Sequence, residues 1–139
     1  MAALVRVDVP AVVRRIAEVC GADRRLAAAY LFGSARDRLR PDSDIDVAVV
    51  PSEAVPTEGW AAFALPEEVA GALGRWDGHP FEVTVLTLED PIFAMAALRD
   101  AELACVTDPE AHALFLERVA QWYRRDAYRY WRAVAEVNA

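Results

Sequence analysis

Residues 33–46 read Gly-Ser-Ala-Arg-Asp-Arg-Leu-Arg-Pro-Asp-Ser-Asp-Ile-Asp. The stretch joins a glycine-led turn to two carboxylates, Asp44 and Asp46, and lies between the apolar runs Leu26–Phe32 and Val47–Val50. Short apolar runs bounded by turn signals read as buried strands. A strand sends alternate side chains to opposite faces, so within 44–50 Asp44, Asp46 and Ala48 project one way and Ile45, Val47 and Val49 the other. The segment predicts a strand, a tight turn and a second strand that carries two acids on one face.

Working outward, Asp8 and Pro10 mark a helix start, and Val9, Val12, Val13, Ile16, Val19 and Cys20 recur at helical spacing up to Gly21. Ser34–Leu39 is expected to open a short helix behind Gly33, and residues 51–59 to form a loop. Trp60–Gly74 reads as helical, with Leu65-Pro66 as a point of interruption. Asp77-Gly78 signals a turn before a third strand over Phe81–Leu86. Asp90-Pro91 starts a helix to about Arg99, and Leu103–Val106 reads as a short edge strand. Thr107-Asp108-Pro109-Glu110 resembles a capping box, ahead of a long C-terminal helix over about 108–137. Alternation of strands and helices predicts an α/β (α+β) fold, a small mixed sheet packed with helices, with residues 1–139 as a single domain.

Composition narrows the function. Apolar residues make up 55% of the 139, as in a chain that packs a core. No apolar run approaches the roughly 18 residues of a membrane span, and the opening Met-Ala-Ala-Leu-Val-Arg lacks a secretory pattern, so the expectation is cytoplasmic with no membrane association. All fifteen basic residues are arginine, which excludes a nucleophilic lysine and a P-loop lysine. A net charge of −7 argues against direct nucleic-acid binding, whose affinity comes from clustered positive charge. Cys20 and Cys105 lack metal-site spacing and read as reduced, mostly buried thiols; His79 and His112 read as structural or solvated.

The chemistry concentrates at 33–46. Gly33 can adopt backbone angles closed to other residues and lets the main chain approach a ligand, and Ser34 adds a hydroxyl at the same spot. A helix behind such a turn aims free N–H groups at an anion. Two unit charges about 4 Å apart repel by roughly 4 kcal/mol at an effective dielectric near 20. Arginines 36, 38 and 40 are candidates to offset Asp44 and Asp46, but a divalent cation with oxygen ligands does so better and also holds substrate phosphates. A phosphate-gripping turn beside a metal-gripping pair is the equipment for chemistry on a nucleotide.

Phe32-Gly33-Ser34, nine intervening residues and Asp44-Ile45-Asp46-Val47 resemble the signature of the DNA polymerase β-type nucleotidyltransferase superfamily. Ala35-Arg36 and Ser43-Asp44-Ile45-Asp46 resemble its minimal nucleotidyltransferase (MNT) branch, encoded beside HEPN-domain partners. The loop is one residue shorter than is common there, and Asp37 stands in place of the glycine after the arginine. The resemblance covers most of residues 26–120 and implies a polymerase β-like nucleotidyltransferase fold and a third carboxylate on a later strand. Glu82, the only acid within 81–86, fits that place, with Glu89 and Asp90 as rivals that look more like a helix cap. It further implies metal binding by Asp44, Asp46 and Glu82, with Glu82 as general base. Nucleotide contacts fall to Gly33, Ser34 and Arg36, with Mg²⁺ as cofactor and ATP as substrate. An AMP group would pass to a hydroxyl, on this analogy a tyrosine of a HEPN toxin partner, and the chain would act as antitoxin.

Two other readings stay open. The last helix places Trp122, Tyr123, Tyr128, Tyr130 and Trp131 among Arg124, Arg125, Arg129 and Arg132, residue types enriched at interface hot spots. A non-catalytic antitoxin or scaffold that neutralises its partner by binding would use such a surface, although Trp122 with Val119 also suits packing on the sheet. A small-molecule nucleotidyltransferase of the aminoglycoside type would need a homo-oligomer to build its acceptor pocket.

Overall fold

The computed structural model describes residues 5–33, 38–39, 43–53 and 59–138. The chain runs β1 (Val5–Arg6), α1 (Val9–Gly21), β2 (Leu26–Phe32), β3 (Arg38–Leu39), β4 (Ile45–Pro51) and α2 (Trp60–Leu73). It continues through β5 (Arg75–Trp76), β6 (His79–Val85), α3 (Pro91–Arg99), β7 (Glu102–Val106) and α4 (Pro109–Val137). Five strands form one mixed sheet in the order β5-β6-β4-β2-β7; β4 and β6 are parallel and the other pairs antiparallel.

The central strands are those whose sequence has the fewest polar side chains. From Leu26 to Leu31 every residue of β2 is buried, and Ile45, Val47, Ala48, Val49 and Val50 are buried in β4. Side-chain alternation divides the core into two layers. Leu31, Ile45, Val47 and Val49 pack with Val12 and Ile16 of α1 and with Leu65, Val69 and Leu73 of α2. Tyr30, Ala48 and Val50 pack on the opposite face with Ala94 and Ala97 of α3 and with Ala111 and Val119 of α4. The alternation expected for 44–50 is therefore observed, although the strand begins at Ile45 and Asp44 lies just ahead of it.

Three helices start alike. Asp8, Asp90 and Asp108 each accept a hydrogen bond from the backbone N–H three residues on, at 3.2, 3.1 and 3.1 Å, and each start carries a proline in its first turn. Asp90 is thus a cap, as its sequence context suggests. At α4 the cap is Asp108 rather than Thr107, whose hydroxyl instead donates to the Leu26 carbonyl and ties the helix start to β2.

Two local expectations are corrected, and one short strand is added. The short helix expected through Leu39 does not extend there: Arg38–Leu39 pairs antiparallel with Val5–Arg6, and residues 34–37 lie outside the described residues. Thirty-one residues separate the two partners, so local periodicity carries no sign of the pairing. Helix α2 runs through Pro66 without a break, held by the burial of Leu65, Val69 and Leu73 on both sides of it. Arg75–Trp76 is a strand, hairpinned to β6 through the Asp77-Gly78 turn, where both residues have positive φ (47° and 83°).

Both cysteines are free, and Cys20 is fully buried against the α1–sheet core. Burial, followed by the nearby Cys105 and Asp23, pushes the Cys20 thiol up to about 12, so two thiols far apart in sequence lie near each other in the fold. No helix among the described residues is long and apolar enough to cross a membrane. Leu31, fully buried on β2 between β4 and β7, tests this packing. Leu31→Ala is expected to cost about 2–5 kcal/mol of stability, read from urea titration of the two proteins.

Candidate functional site

The parallel pairing of β4 with β6 brings the predicted acids together. Its register sets Ile45 beside Phe81, Asp46 beside Glu82 and Val47 beside Val83. Paired residues on neighbouring strands share a face, with backbones about 4.8 Å apart. Phe81 and Val83 are buried on the α1–α2 side with Ile45 and Val47, so Asp46 and Glu82 both point to the opposite face. Glu82, 36 positions later in the sequence, thus stands beside Asp46 on that face.

On its other side, Asp46 pairs with Phe32 of β2, and Gly33 follows immediately. Gly33 has φ +74°, in the left-handed region that favours glycine. A Cβ at this position would lie 2.6 Å from Asp46 Oδ2, inside contact distance. The glycine therefore serves two purposes: it turns the chain, and it leaves room for the carboxylate. The Phe32 ring packs edge-on against Phe93 of α3 at 6.2 Å between centroids, which anchors that helix beside the turn.

The electrostatics match this geometry. Asp46 is half-buried, whereas Asp44 and Glu82 are exposed. Burial pushes the Asp46 carboxyl up to about 6, and the charges of Glu82 and then Asp44 add to the rise. Both neighbouring acids therefore act on Asp46. Their donor set is oxygen only and negatively charged, which suits a hard divalent cation such as Mg²⁺. Among the described residues no three acidic, histidine or cysteine side chains converge closely enough to hold a metal ion. Ser34 and Arg36 lie outside the described residues, as do Arg40 and the side chain of Arg38.

The histidines fall as their sequence context suggests, with detail it does not hold. His112 on α4 hydrogen-bonds the Tyr30 hydroxyl of β2, on the α3–α4 face of the sheet. His79 is buried at the start of β6 and bonds the backbone of Ser43, next to Asp44. Neither contact leaves a trace in local sequence.

The raised Asp46 carboxyl has a measurable consequence. An acid with a folded pKa above its unfolded value opposes folding wherever both states are ionised. The penalty is full above about pH 6, falls as the pH drops towards the ordinary value of 3.8, and vanishes below it. Discounted for solvent screening, it amounts to about 1–2 kcal/mol. Asp46→Asn is therefore expected to be the more stable protein by that amount at pH 8 without divalent cation. Its advantage should disappear below about pH 4, as read by urea titration across that range.

Similarity to known proteins follows the same lines. A search of curated proteins finds no significant match. Among solved structures, similar chains occur in tri-AMPylated Shewanella oneidensis HEPN toxin in complex with MNT antitoxin (20% identity, TM-score 0.58, covering 94% of this chain and 98% of that one). Others occur in the toxin–antitoxin MntA–HepT (20%, 0.57, 94% and 99%) and in a toxin–antitoxin structure with AMP-PNP (21%, 0.58, 91% and 98%). At these identities the likeness is one of fold. The sequence model of the family described as Polymerase beta, Nucleotidyltransferase matches residues 14–110, which spans both glycine turn and all three acids. The chain belongs to the polymerase β nucleotidyltransferase family.

Proposed function

We propose that this chain is an Mg²⁺-dependent nucleotidyltransferase that moves AMP from ATP onto a hydroxyl of a partner protein, a tyrosine of a HEPN toxin, and so acts as its antitoxin. The observation that carries the reading is the register of Asp46 with Glu82 beside the Gly33 turn, with Asp44 close enough to raise the Asp46 carboxyl further. The solved structures of similar fold include an AMPylated toxin with its antitoxin and a complex with AMP-PNP, which supports both the nucleotide and the acceptor.

In this mechanism Asp44, Asp46 and Glu82 would hold Mg²⁺, whose charge offsets that of the triphosphate and favours attack at the α-phosphorus. Gly33, with Ser34 and Arg36, would hold the β and γ phosphates. Glu82, the acid on the later strand and exposed like Asp44, would take the proton of the acceptor hydroxyl as its oxygen bonds to the α-phosphorus. The bond to the bridging oxygen breaks, and pyrophosphate leaves with the electron pair. The protein contributes positioning and charge rather than a covalent intermediate, as is general for phosphoryl chemistry.

The test is incubation of the protein with α-labelled ATP, Mg²⁺ and the HEPN protein encoded beside it. Label is expected on the partner with wild type, and at least about 100-fold less with Asp44→Ala/Asp46→Ala. No transfer by wild type, or equal transfer by both, overturns the catalytic reading.

A second reading, neutralisation by binding alone, has its own observation. Tyr123, Tyr128 and Trp131 of α4 are 51%, 73% and 54% exposed, and Trp131 packs edge-on against Tyr130. Large aromatic side chains at this exposure form a ready contact surface. If binding alone neutralises the partner, the Asp44→Ala/Asp46→Ala protein still protects cells, while Tyr128→Ala/Trp131→Ala does not. If transfer is required, the acid variant fails to protect in the same growth assay.

A further inference from the structure

His79 is buried, only 5% exposed. Its Nδ1 lies 2.8 Å from the carbonyl oxygen of Ser43. A carbonyl only accepts, so Nδ1 carries the proton and donates. Ser43 immediately precedes Asp44, and both lie ahead of the first paired residue of β4, Ile45. The chain there lacks the ladder that fixes Asp46. Extending the register back two residues from the Ile45–Phe81 pair sets Ser43 opposite His79. The imidazole thus holds the backbone where the ladder has ended.

The histidine is itself firmly placed. It pairs with Trp76 across the β5–β6 hairpin, whose turn is held by a hydrogen bond from Arg75 Nη1 to the Gly78 carbonyl at 3.0 Å. Trp76 in turn lies under the Arg15 guanidinium at 5.4 Å, and Arg15 Nη1 donates to the Leu73 carbonyl at 3.1 Å. A continuous set of contacts leads from α1 through the hairpin to Ser43. His79 shares the face of Phe81 and Val83, opposite the one towards which Glu82 and Asp46 point, so it is away from the acids themselves.

We propose that His79 is a positioning residue that sets Asp44 for cation binding by clamping the Ser43 carbonyl. The proposal rests on the reading above that Asp44 belongs to the cation-binding set. Outer residues that orient ligands in this way are worth about 10–100-fold in metal affinity.

Asparagine places an amide nitrogen near the position of Nδ1, whereas glutamine places one near Nε2, which separates a specific clamp from general packing. His79→Asn, His79→Gln and His79→Leu would be prepared as full-length protein and checked for folding by thermal melting. Mn²⁺ binding is then measured by electron paramagnetic resonance, and hydrogen exchange of the Asp44 and Ile45 amides by NMR without metal. The expected result is Mn²⁺ affinity at least about 10-fold weaker in the Gln and Leu proteins with faster exchange at Asp44, and values close to wild type in the Asn protein. Unchanged exchange in the Gln protein, or equal behaviour of Asn and Gln, overturns the proposal whatever the metal does. Altered exchange that Asn restores, in a protein whose wild type binds no Mn²⁺, upholds the clamp and instead sinks the proposed catalytic function. Should the Leu protein not fold, the Asn–Gln contrast still decides.

Discussion

The parallel pairing of β4 with β6 is the constraint on which the site depends. A register of Asp46 with Glu82 forces two like charges onto neighbouring backbones about 4.8 Å apart. Such a pair is unfavourable in isolation. It is tolerated because the opposite face of the same strands buries Ile45, Val47, Val49, Phe81 and Val83. Each such side chain contributes about 1.5–3 kcal/mol when fully buried. A slip of one residue would exchange the two faces, expose the apolar set and bury the acids. The hydrophobic layer therefore fixes the register, and the register in turn fixes the carboxylates.

The strands that carry the acids were legible for the same reason. Alternation over 44–50 separates Asp46 and Ala48 from Ile45, Val47 and Val49 without any knowledge of the partner strand. Glu82 was legible because it is the single acid in an otherwise uncharged strand. The helix starts were readable from Asp followed by Pro, whose capping geometry is local. What escaped was non-local or too short to have a period. The strand Arg75–Trp76 has two residues, and only its Asp77-Gly78 turn announced it. The pairing of Arg38–Leu39 with Val5–Arg6 and the bond of His79 to Ser43 join segments more than thirty residues apart. The nearness of Cys20 to Cys105 is of the same kind.

Charge is unevenly distributed along the chain. Residues 118–132 hold five arginines against one carboxylate, Asp126, whereas the rest of the protein carries a net −11. The part of α4 with its arginines is also the part with exposed aromatic rings, while its first half is anchored by buried Ala111 and Val119 and by the His112–Tyr30 bond. One helix thus combines a core-packing segment with a segment of contrasting charge and exposure. Only Arg132 of these five has an ion pair among the described residues, with Glu136 at 3.7 Å, an exposed pair of small energetic weight.

Gly33 has an evolutionary implication. The atom that an added methyl group would strike is the tip of a side chain, Asp46 Oδ2, which can swing aside without disturbing the backbone. Folding alone therefore exerts only the modest pressure of the positive φ, which asparagine also meets tolerably. Swinging the carboxylate aside would instead spoil its alignment with Glu82. Under the proposed function, what holds a glycine at this position is the alignment of the neighbouring acid, so a relative without it is expected to keep the scaffold and lose the reaction.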